Sequence, residues 1–80
     1  MKDLVFEKVG DIHSEYPYLC VYFSEEKEPF MEISVAEDRS LEFVVYSRAL
    51  NLYLSAGDLR EILSRGAEFL PEALENGDFS

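Results

Sequence analysis

The chain has 80 residues, a length that suits one domain, so residues 1–80 are predicted to form a single domain. Hydrophobic residues make up 48% of it, including six Phe and five Tyr, which predicts a packed core and argues against an intrinsically disordered chain. Seventeen acidic against seven basic residues give a formal net charge of −10. This charge disfavours nucleic acid and anionic membranes as partners and favours basic proteins, although acidity also keeps small proteins in solution.

The chain contains one cysteine, Cys20, so an internal disulfide is excluded and a reducing compartment is favoured. The residues that follow Met1 lack the apolar stretch of a signal peptide. No run approaches the roughly 20 apolar residues that a membrane-spanning helix needs. We therefore predict a cytoplasmic protein without a membrane segment.

Short apolar runs in the first two thirds of the chain predict strands. Polar or charged residues separate these runs, with a loop at 11–17, a charged turn at 25–29 and a tight polar turn at 37–40. Short connections of this kind favour antiparallel pairing of consecutive strands. Five strands are predicted, over 4–9, 18–24, 30–36, 41–47 and 50–54.

The last third of the chain predicts one amphipathic helix. Ser55 suits the helix N-cap, because its hydroxyl can accept a hydrogen bond from the N–H of Asp58. Apolar residues then recur at three- and four-residue spacing, which places one side of the helix against the sheet: Leu59, Ile62, Leu63, Gly66, Phe69 and Leu70. Pro71 predicts a kink or an interruption, and 76–77 suits the helix end.

Together these elements predict an α+β fold. An antiparallel five-stranded meander sheet carries one C-terminal amphipathic helix packed on one face. The apolar side of the helix should meet alternate residues of the strands, namely Leu19, Val21, Phe23, Met31, Ile33, Val35, Phe43, Val45, Leu52 and Leu54.

The second face of the predicted sheet, which the helix leaves uncovered, is rich in tyrosine. It should carry Tyr18, Cys20, Tyr22, Glu32, Ser34, Glu42, Val44, Tyr46, Arg48, Asn51 and Tyr53. A solvated face usually carries small polar or charged residues. Aromatic residues there either stabilise neighbouring strands, at about 0.2–1 kcal/mol per pair, or form a contact surface. Both interpretations remain open from the sequence, as does a homodimer that forms through this face.

Partner-binding residues are predicted in two places, and the sequence does not choose between them. One is the tyrosine-rich face, with carboxylates that suit Lys or Arg of a partner. The other is the charged turn at 25–29. The candidates are Tyr18, Tyr22, Glu25, Glu26, Glu28, Glu32, Glu42, Tyr46 and Tyr53.

The chain lacks the motifs of a catalytic or cofactor site. His13, the only histidine, lies in a predicted loop, and Cys20 has no basic neighbour in sequence to activate it. No zinc-ligand spacing, calcium loop, phosphate-binding glycine loop or nucleophile elbow is present. We therefore predict no enzyme activity, no cofactor and no metal, and we predict a packing role for Cys20.

The hairpin Met31-Glu32-Ile33-Ser34-Val35 to Leu41-Glu42-Phe43-Val44-Val45-Tyr46, followed by 59–63 and 68–74, resembles small acidic bacterial immunity proteins of toxin–immunity systems. The resemblance implies a cytosolic inhibitor that binds a cognate basic toxin, often a nuclease. The alternative is a small adaptor or regulatory subunit that self-associates, or binds a partner, through the tyrosine-rich face.

Overall fold

A computed structural model describes residues 3–10 and 15–77. Its elements are β1 (Leu4–Val9), β2 (Tyr18–Phe23), β3 (Met31–Val35), β4 (Leu41–Val45) and the helix α1 (Ala56–Gly77). The four strands form one sheet in the order β1-β2-β3-β4, and each neighbouring pair is antiparallel. The predicted α+β meander is confirmed for these elements. The expectation for His13 lies outside the described residues.

The predicted fifth strand, at 50–54, is wrong, because these residues pair with no strand of the described sheet. Leu52 and Leu54 still pack against the core, whereas Leu50 is 76% exposed. Alternation indicated burial correctly for Leu52 and Leu54 but not for Leu50, and a buried side chain does not require that its backbone pairs with a strand. The segment instead connects the end of β4 to the start of α1.

Buried residues of β2, β3 and α1, together with Phe30 just before β3, form the core. They include Val21, Ile33 and Ile62, which are the largest fully buried side chains, and the rings of Phe23 and Phe30 stack at 4.4 Å. Partly buried side chains of β1 and β4 complete it. Alternation in β2 and β3 therefore predicted the core correctly, because one face of a strand carries every second residue.

The helix begins at the predicted cap. The N–H of Asp58 donates to Oγ of Ser55 at 3.0 Å, and the N–H of Ser55 donates back to Oδ2 of Asp58 at 3.0 Å. This reciprocal pair satisfies two backbone donors that the first turn of a helix leaves free.

The side of α1 that contacts the sheet agrees in part with the predicted one. The buried positions are Ile62, Gly66, Phe69 and Ala73, whereas Leu59 and Leu63 are 47% and 57% exposed. A Cβ on Gly66 would lie 3.2–3.5 Å from Leu41, Ile33 and Phe43, so the helix approaches the sheet at this glycine. Ile62, Gly66 and Phe69 therefore lie on the predicted side, whereas the prediction is wrong for Leu59 and Leu63.

The two flanks of α1 face opposite edges of the sheet. Arg65 lies 5.0 Å from the ring centroid of Phe6, and Glu72 forms an ion pair with Lys8 at 3.7 Å, so one flank faces β1. At 3.6 residues per turn, Leu59 and Leu63 lie on the other flank, towards β4. Two β4 side chains on this sheet face, Phe43 and Val45, stay 37% and 55% exposed. Phe43 nevertheless lies 3.5 Å from the position of a Cβ on Gly66, so it lies beside the helix as predicted, although both side chains remain partly open to solvent.

The helix is not interrupted at Pro71, which lies inside Ala56–Gly77. Proline removes one backbone donor, but Ala73 after it is fully buried and holds the next turn against the sheet. The hairpin turn at 37–40 is confirmed. There Arg39 adopts a positive φ of 69°, and Ser40 donates to Asp38 from both its N–H and its hydroxyl.

No helix within the described residues has both the length and the apolar character that a membrane crossing requires.

Candidate functional site

The sheet face opposite α1 brings most of the predicted binding residues together. Strand register places Cys20 between Glu7 of β1 and Glu32 of β3, and Glu32 lies opposite Val44 of β4. We call this surface the tyrosine face, with the members Val5, Glu7, Val9, Tyr18, Cys20, Tyr22, Glu32, Ser34, Glu42, Val44 and Tyr46. These positions include three carboxylates and no Lys or Arg.

Two tyrosines on this face donate hydrogen bonds to two of its carboxylates. The phenol of Tyr22 donates to Oε1 of Glu7 at 2.9 Å, and the phenol of Tyr46 donates to Oε1 of Glu32 at 2.8 Å. The hydrogen bond to the Glu7 carboxylate raises the pKa of Tyr22 to about 12. Burial and the bond to Glu32 raise the pKa of Tyr46 as well. Both phenols therefore remain protonated donors, which fixes the orientation of each carboxylate.

Cys20 lies at the centre of the tyrosine face and is only 8% exposed. Burial, followed by the negative charges of Glu32 and Glu7, raises the pKa of its thiol. A thiol that stays protonated is a poor nucleophile and a poor metal ligand. The predicted packing role of Cys20 agrees with this position, and the partly buried Tyr18 and Tyr22 flank it in sequence.

A cleft of about 260 Å³ opens beside Glu32 at one end of the tyrosine face. Its polar lining includes three carboxylates and two phenols but no basic side chain: Glu15, Tyr16, Tyr18, Glu32, Ser34 and Glu37. Carboxylates and phenols in an open cleft can accept hydrogen bonds from an ammonium or guanidinium group.

A second cleft, also about 260 Å³, joins the charged turn to the tyrosine face. Glu26, Glu28, Tyr46 and Arg48 contribute to its walls, and Arg48 forms an ion pair with Glu26 at 3.7 Å. Tyr46 in turn bonds to Glu32, which lines the first cleft. The two predicted binding regions are therefore neighbours, with the Tyr46–Glu32 pair between them. Glu25 lies exposed in the same turn.

Tyr53 is the predicted site residue that the sheet does not bring to this face. It lies between β4 and α1 and is 80% exposed, because the strand that should have placed it does not form. Arg48 and Asn51, also expected on the face, lie after β4 as well.

Four residues near the site were not predicted as binding residues: Glu7, Glu15, Tyr16 and Glu37. Tyr16 lies in a bend before β2, so strand alternation does not predict where its side chain lies. Glu7 required the register of β1 against β2, which periodicity alone does not supply.

Within residues 3–10 and 15–77, no group of three or more His, Cys, Asp or Glu side chains could hold a metal ion. Among known proteins, no family model, no curated protein and no solved structure matches this chain. The geometry of the tyrosine face is therefore the basis for a functional conclusion.

Proposed function

We propose that this chain is a cytoplasmic, non-catalytic inhibitor that binds a basic cognate protein through the tyrosine face, as an immunity protein binds a toxin such as a nuclease. The observation that carries the proposal is the pair of phenol–carboxylate hydrogen bonds, Tyr22 to Glu7 and Tyr46 to Glu32, on a face without basic side chains.

The orientation of the carboxylates supports binding of Lys or Arg. Each phenol donates one hydrogen bond to Oε1 of its glutamate, so the carboxylates of Glu7 and Glu32 keep further lone pairs that can accept from a partner's cation. Because the carboxylate is already oriented, less side-chain entropy is lost when the partner binds. A bond between a cation and a carboxylate is about twice as strong as a neutral hydrogen bond.

The aromatic content of the face supports a protein partner over a small cation. Tyr18, Tyr22 and Tyr46 are partly buried, so their rings are held in place while part of each stays accessible. Tyrosine offers large, stiff contact area with a polar tip, and it is enriched at the centres of protein interfaces. Cross-strand packing of the same rings is compatible with this role.

The charged turn supports fast association with a basic partner. Glu26 and Glu28 line the cleft that reaches Tyr46, and exposed Glu25 precedes them in the turn, so the acidic turn adjoins the face. Such a potential accelerates encounter with a positively charged protein, and the association rate falls as salt rises.

The alternative is an adaptor or regulatory subunit that self-associates through the same face. Two copies of the tyrosine face would bring Glu7, Glu32 and Glu42 of each copy against the like charges of the other. Like charges that face each other across an interface are unfavourable. The charge of the face therefore favours a basic partner over a second copy at this surface.

Co-expression with the product of the adjacent gene tests the proposal. We expect the two proteins to co-purify and the activity of the neighbour to be blocked. A variant with Gln at Glu25, Glu26 and Glu28 should mainly slow association, because its substitutions lie at the edge of the contact. A neighbour that is neither bound nor inhibited would count against the proposal.

A further inference from the structure

The edge of the sheet at β4 combines exposed apolar side chains with backbone groups that pair with no other strand among residues 3–10 and 15–77. Every residue of β4 after Leu41 is exposed to solvent, and the exposed fraction of Val45 is 55%. Leu59 and Leu63 of α1 lie on the helix flank above this edge, as their helical positions require. We call these residues the β4 edge strip: Leu41, Phe43, Val45, Leu59 and Leu63.

The backbone direction in β4 follows from two hydrogen bonds at its ends. The N–H of Tyr46 donates to the carbonyl of Phe30, and the carbonyl of Ser40 accepts from the N–H of Ala36. Both residues therefore point their backbone groups towards β3. Because this direction alternates along an antiparallel strand, Leu41, Phe43 and Val45 point theirs outwards. The residues with outward backbone groups thus also carry the apolar side chains of the strip.

The other edge of the sheet is protected in a way that β4 is not. The outer strand β1 carries Glu7 and Lys8, and Lys8 reaches Glu72 of the helix. Charged residues on an edge strand, lysine above all, discourage pairing with another strand. In β4 the only charged residue is Glu42, whose side chain lies on the tyrosine face.

We infer that β4 pairs antiparallel with β4 of a second copy of this chain, which gives a two-fold dimer with a continuous eight-stranded sheet. A two-fold axis at Phe43 places Phe43 opposite its equivalent and Leu41 opposite Val45 of the second copy. Each of these pairs exchanges both of its backbone hydrogen bonds, because the N–H and C=O groups of all three residues point outwards. The apolar strips of the two copies then meet on the helix side of the sheet.

The charges around the strip favour a second copy over a basic partner. Glu42 lies opposite Val44 of the second copy in this register, so it does not face its own equivalent. Antiparallel pairing also brings the turn that contains Glu37 and Asp38 to the level of Arg48 of the second copy, and symmetry repeats this contact. Exposed Arg60 lies on the same helix turn as Leu59 and Leu63 and would repel a basic protein.

Sedimentation equilibrium of the wild-type chain and two lysine variants tests the dimer. We expect the wild type to sediment as a dimer and Val45→Lys to shift the dissociation constant at least about tenfold towards the monomer, about 1.4 kcal/mol. Val5→Lys is the matched control, because Val5 is 44% exposed on the opposite edge strand and should leave the dimer intact. Circular dichroism checks that both variants fold.

Oxidation of single-cysteine substitutions tests the register. Phe43→Cys should form an intermolecular disulfide, because the Cα atoms of a hydrogen-bonded pair lie about 5.5 Å apart, within the range that a disulfide bridges. Val45→Cys should not, since Val45 lies roughly 14 Å from its equivalent, four residues away along the strand. Buried Cys20 of the wild type is the background control.

A wild-type chain that stays monomeric up to about 1 mM would overturn the inference. So would a monomer whose Phe43 and Val45 amides gain hydrogen-exchange protection only on addition of the cognate protein, because the edge would then take a strand of that protein. A disulfide from Val45→Cys and none from Phe43→Cys would overturn the register.

Discussion

The phenol of Tyr46 donates a 2.8 Å hydrogen bond to Oε1 of Glu32, and this pair lies between a cleft lined by Glu32 and a cleft lined by Tyr46. Tyr46 follows the edge strand β4 and Glu32 lies in β3, so the hydrogen bond ties adjacent strands together. It also fixes a carboxylate on a face without basic side chains. A single contact therefore serves the sheet and orients the surface that we propose for binding.

The titration of Tyr22 tests the orientation of the second carboxylate. Its phenol should titrate with a pKa of about 12 instead of the ordinary 10, and Glu7→Gln should lower this pKa towards 10 because the accepting charge is removed. Folding stability from this bond is present below pH 10 and is lost as pH rises through 12, because only the protonated phenol donates. NMR titration of the tyrosine ring signals measures the shift. Titration of wild-type Tyr22 near pH 10 would contradict the hydrogen bond.

The reciprocal cap of α1 should contribute measurably to stability. Ser55→Ala removes the acceptor for the N–H of Asp58 and should lower the free energy of unfolding by about 1 kcal/mol. Asp58→Ala removes the acceptor for the N–H of Ser55 and should cost a similar amount. In a double-mutant cycle by urea denaturation, we expect the two losses to be non-additive, since the side chains belong to one motif. Strict additivity would show that they act independently.

Neighbouring helix residues distinguish the observed buried face from the expected one. Ile62 is 2% exposed, so Ile62→Ala should cost about 2–5 kcal/mol through lost burial and a cavity. Leu63 is 57% exposed, so Leu63→Ala, measured in dilute protein, should lower the free energy of unfolding by well under half of the loss from Ile62→Ala. Urea denaturation of both variants measures the difference. Equal losses would mean that α1 is rotated towards the face that the leucines suggested.

The core strands and the helix start could be predicted because each depends on local chemistry. Alternation in β2 and β3 fixes which residues share a face, and Ser55 with Asp58 forms a cap within a single turn. The helix face could be predicted only in part. Residue spacing placed Ile62, Gly66 and Phe69 on this face correctly. It also included Leu59 and Leu63 and left out Ala73, because the path of the helix across the sheet is a tertiary property.

The candidate site was predictable to the extent that it follows strand alternation. Tyr18, Tyr22 and Glu32 share a face by spacing alone, and the structure places them there. The pairing of Tyr22 with Glu7 depends on register between strands that a loop separates. The proximity of Glu26 and Glu28 to Tyr46 depends on the path of the chain after β4. The prediction for Tyr53 was wrong because Leu52 and Leu54 pack against the core without forming a strand.

The affinity for the product of the adjacent gene tests the central claim most directly, with two variants of equal charge. One carries Gln at Glu7, Glu32 and Glu42 of the tyrosine face, and the other carries Gln at Glu61, Glu68 and Glu75 of the helix. Each removes three negative charges, so general attraction changes equally. By calorimetry, we predict that the face variant loses at least about tenfold in affinity, about 1.4 kcal/mol, while the helix variant stays close to the wild type. Equal losses, or a greater loss in the helix variant, would contradict binding through the tyrosine face.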